Sequence, residues 1–75
     1  MQKELDKILK KIFKNHKKIF LDKDNAGTIK DWDSLNHLNL IMQISKKFSV
    51  KFTFNETLKI NNIGQLKKQL IKKIK

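Results

Sequence analysis

The chain has 75 residues, with eighteen lysines and no arginine against seven acids, a formal net charge of +11. A chain of this length buries only about 60% of the surface its unfolded form exposes, which supports one modest core and argues against a large enzyme with its own cleft. It contains no cysteine, so a disulfide framework, a thiolate zinc site and a cysteine nucleophile are excluded.

No apolar run approaches the ~18 residues of a spanning helix, and residues 1–18 are studded with charge rather than forming a signal-like apolar stretch. The expectation is a soluble, cytoplasmic protein. Lysine is a hydrated point charge and lacks the planar fork with which arginine reads guanine edges, so sequence-specific DNA recognition is poorly supported. Lys, Ile and Asn make up nearly half the chain, the signature of A/T-rich coding, and part of the charge is attributable to that bias.

Leu5, Ile8, Leu9, Ile12, Phe13, His16, Ile19 and Phe20 recur at helical spacing with lysines between them, which predicts an amphipathic helix from about residue 2 to about residue 20. His16 falls on the apolar stripe and reads as a core-edge residue. From Leu21 to Asp33 the periodicity stops. Asp22, Asp24, Asn25 and Gly27 are turn formers, and the segment reads as a loop of roughly a dozen residues. The charge changes sign here: four of the seven acids, Asp22, Asp24, Asp31 and Asp33, fall within this short stretch.

Helical spacing resumes after Asp33 and Ser34, either of which can cap a helix of about fourteen residues. Leu35, Leu38, Ile41, Met42, Ser45 and Phe48 define its stripe, and the Leu40, Ile41, Met42 and Ile44 group is expected in the core. Val50, Phe52 and Phe54 alternate with polar residues, but a lone short strand has no partner, so an extended connection is preferred. Thr53 and Glu56 fit a capping box for a helical turn near residues 55–59, and Asn62 with Gln65 fits a second. The second opens a last helix with Ile63, Leu66, Leu70, Ile71 and Ile74 facing inward. The predicted fold is all-α, a small four-helix bundle of three main helices plus one short helical turn, with a long loop between the first two helices. Residues 1–75 are expected to form one domain.

Asp31-Trp32-Asp33-Ser34-Leu35-Asn36-His37-Leu38 carries the functional reading, because it places a serine after a carboxylate at the mouth of a helix. Asp33-Ser34-Leu35, with Trp32 before it, Phe48 and Phe52 after it, and Asn62-Ile63-Gly64-Gln65-Leu66 opening the last helix, resembles the acyl and peptidyl carrier protein family over nearly the whole chain. The resemblance implies that Ser34 is esterified with 4′-phosphopantetheine from coenzyme A by a magnesium-dependent phosphopantetheinyl transferase. It also implies that Asp33 helps place the metal during transfer, that the chain is no enzyme, and that the arm carries an acyl or aminoacyl thioester. The thiol this chemistry needs then arrives from outside a chain without cysteine. Trp32, Leu35, Asn36, His37 and Leu38 are the expected docking residues for enzymes that load the arm and transfer its cargo. Trp32 doubles as a candidate loop anchor, His37 is expected to dock or face solvent, and the acidic loop is expected to mark the modification site.

Carrier proteins of fatty acid synthesis are typically acidic along the second helix. Here the corresponding positions are Asn36, His37, Asn39, Gln43, Ser45, Lys46 and Lys47. A helix of that character is mismatched to enzymes tuned to an acidic one, which predicts a monomeric carrier for a specialised pathway whose enzymes offer apolar or acidic docking surfaces. The alternative is a basic helical module that binds nucleic acid or an anionic membrane through its lysines. It is disfavoured by the grouping of the acids and by the absence of interleaved stacking aromatics. No metal site is expected.

Overall fold

The computed structural model describes residues 2–74. Four helices follow in order: α1 (Gln2–Ile12), α2 (Ser34–Phe48), α3 (Phe54–Lys59) and α4 (Ile63–Ile74). Among the described residues there is no strand, and residues 50–53 form an extended connection. One core joins Leu5, Ile8, Leu9 and Ile12 of α1 to Leu40, Ile41 and Ile44 of α2 and Ile63, Leu66 and Leu70 of α4, with Phe13, Ile29, Trp32 and Ile60 supplied by connecting segments.

The first helix ends eight residues sooner than its apolar spacing predicts. Continuing it would stack Lys10, Lys11, Lys14, Lys17 and Lys18 at intervals of three and four, where like charges repel. The chain instead leaves the helix after Ile12, and Asn15 turns to Asp31, its amide and its side-chain nitrogen donating to the two carboxylate oxygens at 3.1 and 3.2 Å. This clamp holds the end of α1 against the approach to α2, and the two helices pack against each other. Phe13 remains fully buried and Phe20 partly so, whereas Ile19 is 79% exposed rather than on an inward stripe.

The long loop is built from its own polar side chains. Asp24 is buried, and its carboxylate accepts the Leu21 amide at 2.8 Å and the Thr28 hydroxyl at 2.9 Å. These bonds, the Leu21 amide foremost, hold its pKa below the usual aspartate range despite the opposing effect of burial. The turn that follows drops Ile29 into the core, its amide bonding the Asn25 carbonyl at 2.8 Å. Loop carbonyls also cap α4: Asp24 and Asp22 accept the Ile63 and Gly64 amides at 3.0 and 2.8 Å. Gly64 lets the chains cross closely here, since a Cβ would crowd the Asp22 Cβ at 3.1 Å and its carbonyl oxygen at 3.2 Å.

Both predicted helix starts after the loop are present. Thr53 and Glu56 form a complete capping box at α3. At α4, Asn62 accepts the Gln65 amide at 2.8 Å, but the Gln65 side chain reaches back to the amide of Asn61 rather than to that of the cap. The Lys73 ammonium, 2.8 Å from Glu56, and the Thr53 amide hold the Glu56 carboxyl below its usual range. Ile71 and Ile74, expected inward, are exposed, at 43% and 42%, and the buried stripe of α4 consists of Ile63, Leu66 and Leu70.

Candidate functional site

Asp33 sets the mouth of α2. With extended backbone angles (φ −118°, ψ −176°), it presents its carboxylate to the Asn36 amide at 2.8 Å, while its carbonyl accepts the His37 amide at 2.8 Å. Two of the first-turn amides are thereby satisfied. Those of Ser34 and Leu35 have no intrahelical acceptor and lie at the positive end of the helix dipole. Ser34 is the first helical residue and is exposed. Asn36 locks the approach from the other side, donating from Nδ2 to the Asp31 carbonyl at 2.7 Å.

Trp32 and His37 brace this mouth from beneath. Trp32 is only 6% exposed and stacks on Phe13 at 5.3 Å between ring centroids, so the indole anchors the loop and its ring is not offered at the surface. Its Nε1–H donates to His37 Nδ1 at 3.0 Å, and His37 Nε2 lies 2.9 Å from the Thr57 carbonyl oxygen. An indole only donates, so His37 Nδ1 must accept and Nε2 must carry the proton that Thr57 receives. The imidazole therefore ties the loop, α2 and α3 together. The half-buried His37 is thereby held in a bracing position rather than turned to solvent.

The same geometry bears on chemistry. A serine one turn from a histidine invites a nucleophile–base reading, but both ring nitrogens of His37 are committed elsewhere and neither is free to take the Ser34 proton. Ser34 opens instead onto a groove of about 490 Å³ between α2 and α3, with Leu38, Phe54, Leu58 and Ile60 along its apolar walls and Thr57 and Asn61 supplying polar ones. Leu38, Phe54 and Leu58 are exposed, as are Leu35 and Met42, at 75% and 70%.

The exposure of Leu35 and Leu38 suits the docking positions expected of them, whereas Met42 was expected in the core. The helix is apolar on two sides, and only the side bearing Leu40, Ile41 and Ile44 is covered. Phe54 and Leu58 were not singled out from sequence, since nothing in a five-residue alternation or a six-residue helix tells which side remains open. The acids also serve differently from expectation. The Asp22 carboxylate pairs with Lys67 of α4, that of Asp24 accepts from Leu21 and Thr28 within the loop, Asp31 holds Asn15, and Asp33 alone adjoins Ser34.

A helical bundle that displays one exposed serine at a helix mouth, unactivated and beside an apolar groove, is built to carry a group rather than to transform one. The solution NMR structure of the holo acyl carrier protein from Geobacter metallireducens superposes on this chain with a TM-score of 0.86 at 30% sequence identity, covering 96% of this chain and 83% of that one. No family model matches the sequence, and no curated protein matches it. The chain belongs to the acyl carrier protein family. It is a carrier, not a catalyst.

Proposed function

We propose that Ser34 is the attachment point of a 4′-phosphopantetheine arm and that the chain carries an acyl or aminoacyl group on it as a thioester. The observation that carries this reading is the exposed position of Ser34 at the start of α2, in a chain whose structural neighbour is a holo acyl carrier protein. The residues present suit the group. An exposed hydroxyl accepts the phosphoryl linkage, the amides of Ser34 and Leu35 and the helix dipole favour the phosphodiester, and the groove offers apolar walls to the arm and its cargo. Bound there, the arm supplies the thiol that this sequence lacks. Asp33 keeps its carboxylate at the surface beside Ser34, suited to placing the metal during transfer. Its second duty, capping α2, fixes where the serine stands.

Residues 1–75 act on this reading as one monomeric, cytoplasmic carrier domain. Among the described residues no helix is long and apolar enough to cross a membrane. Its partners are a phosphopantetheinyl transferase and the enzymes that load and unload the arm. The exposed side of α2 bears Asn39, Lys46 and Lys47 beside the half-buried Gln43, with no carboxylate along the helix, which supports service in a specialised pathway rather than general fatty acid synthesis.

The test is intact mass after incubation with coenzyme A, magnesium and a broad-specificity phosphopantetheinyl transferase. The wild type gains one phosphopantetheine and Ser34→Ala gains none, while its circular dichroism and melting temperature stay close to wild type. An unchanged wild-type mass across several transferases refutes the assignment.

A further inference from the structure

Leu35, Leu38, Met42 and Lys46 stand on one row of α2, at intervals of three, four and four residues, which keeps them within one turn-to-turn stripe of the helix surface. The first three are exposed apolar side chains and the fourth is a lysine. The row starts beside Ser34 and runs to the opposite end of the helix, about 18 Å away at 1.5 Å per residue. There it enters a second groove, of about 670 Å³, between α1 and α2. Lys46 and Lys47 from α2 and Lys11 from α1 stand around it, with Met42 and Ile8 as its apolar surface. The amides of Asn39 and Gln43 face the same groove and pair weakly with each other at 3.4 Å. No carboxylate lines it.

We infer that this row and groove form a docking surface for an acidic protein element, and that the enzymes acting on the Ser34 arm present an apolar strip flanked by carboxylates about 18 Å from the serine. The inference rests on the carrier reading and names the chemistry of its partners. Three features select a protein over a polyanion. An apolar centre with a polar, charged edge is the anatomy of a protein interface. A phosphate backbone has nothing to cover Leu35, Leu38 and Met42. The amide pair is suited to directional hydrogen bonds that a diffuse anionic surface does not supply. Charge at the rim steers encounter and rejects partners with the wrong sign, so Lys11, Lys46 and Lys47 act as selectors: a basic docking face is repelled where a carboxylate-bearing one is drawn in.

The experiment is an NMR titration of the ¹⁵N-labelled chain with a synthetic amphipathic helical peptide that has a leucine face bordered by glutamates. A scrambled peptide of the same composition, a random-sequence DNA duplex and phosphatidylglycerol–phosphatidylcholine vesicles are the comparison arms. The amphipathic peptide shifts resonances around Lys11, Met42, Lys46 and Lys47, and binds on the order of tenfold more tightly than the scrambled one because its apolar strip is in register with the row. Lys46→Glu with Lys47→Glu weakens the binding about tenfold, as expected from several rim pairs reversed together. Lys68→Glu with Lys72→Glu, the same charge change on exposed positions of α4, leaves it within about twofold.

Equal binding of the scrambled peptide, or shifts spread over all lysine-rich segments, overturns the inference by reducing the effect to net charge. Tighter binding of DNA or vesicles at the same residues overturns it in favour of a polyanion. Phosphopantetheinylation of the same samples separates the two readings. A chain that is modified but fails the titration loses only the docking surface, and one that is never modified loses the carrier assignment whatever the peptide does.

Discussion

His37→Ala tests the brace beneath the modification site. The substitution removes the acceptor of the Trp32 indole N–H, 3.0 Å away, and the group facing the Thr57 carbonyl, 2.9 Å away. Both partners belong to buried residues. A buried polar group left without a partner costs about 1–3 kcal/mol. The Thr57 carbonyl keeps the Ile60 amide, 3.3 Å away, and loses only an ordinary hydrogen bond, about 0.5–1.5 kcal/mol. The groove at Ser34 reaches Trp32, so water replaces part of its bond and the lower half of the first range, about 1–2 kcal/mol, applies, for a total of about 1.5–3.5 kcal/mol. A chain of 75 residues has a stability of roughly 4–11 kcal/mol, so the loss is a large share of it. At ~4–8 °C per kcal/mol for a domain of this size, the melting temperature falls by roughly 6–28 °C. Urea and thermal unfolding followed by circular dichroism at helical wavelengths measure it. His37→Gln keeps one acceptor and one donor on a side chain of similar reach and recovers at least half the loss. If His37→Ala costs less than about 0.5 kcal/mol, the range of an ordinary surface change, the imidazole is not the tie described here and the position of α2 against α3 is held by apolar packing alone.

Asp24→Asn removes the charge from the buried carboxylate that receives the Leu21 amide and the Thr28 hydroxyl. Because the folded pKa of Asp24 is depressed, its contribution is complete above the unfolded value, near 3.9, and is lost as pH falls through the folded one. The variant is less stable than wild type at pH 7 by roughly 1–2 kcal/mol, and urea midpoints show the difference narrowing as pH drops below about 4. A gap that stays constant down to pH 2 contradicts this account. Ser49 ends α2 in the left-handed region at φ 54°, the one described non-glycine residue with positive φ, so Ser49→Gly raises stability by up to about 1 kcal/mol by relieving the contact of its Cβ with the backbone. A neutral or destabilising result in chemical denaturation indicates that the Ser49 side chain contributes more than its backbone strain costs. Leu35→Asp, at a site 75% exposed, leaves the unfolding midpoint within about 0.5 kcal/mol of wild type while slowing phosphopantetheinylation several-fold. An unaltered rate removes Leu35 from the docking row.

Periodicity and caps made most of the architecture legible before any coordinates. The Thr53–Glu56 box and the Asn62 cap sit where their side-chain chemistry places them, because those signals act over three residues and need no tertiary partner. Features that depend on what lies across the fold were not legible. The end of α1 at Ile12 depends on Asn15 meeting Asp31, sixteen residues away. The exposure of Met42 depends on which of two apolar sides of α2 the neighbouring helices cover. His37 showed the same limit at the site: a histidine one turn from a serine reads as reactive or solvent-facing until both nitrogens are seen to be engaged by Trp32 and Thr57. Ser34 was legible because its placement is local. Asp33 starts the helix, and the residue after a cap stands at the first turn.

The distribution of charge follows from the same local bonds. Asp22 binds Lys67 at 2.9 Å, Asp24 and Asp31 are taken by loop amides, Asp33 caps α2, Glu56 pairs with Lys73, Asp6 accepts from Gln2, and Glu4 is likewise engaged. Each acid thus has work within the chain. The lysines outnumber them by eleven, and Lys11, Lys46 and Lys47 stand exposed at the end of α1 and along α2. A carrier whose carboxylates mostly serve its own caps, loop bonds and ion pairs has few to spare for recruiting enzymes by negative charge. Acquiring an acidic recognition helix would require new carboxylates at Asn39, Gln43, Lys46 or Lys47, positions on which the described fold makes few demands. That separation leaves partner choice free to change sign while the mouth of α2, and the serine it presents, stay fixed.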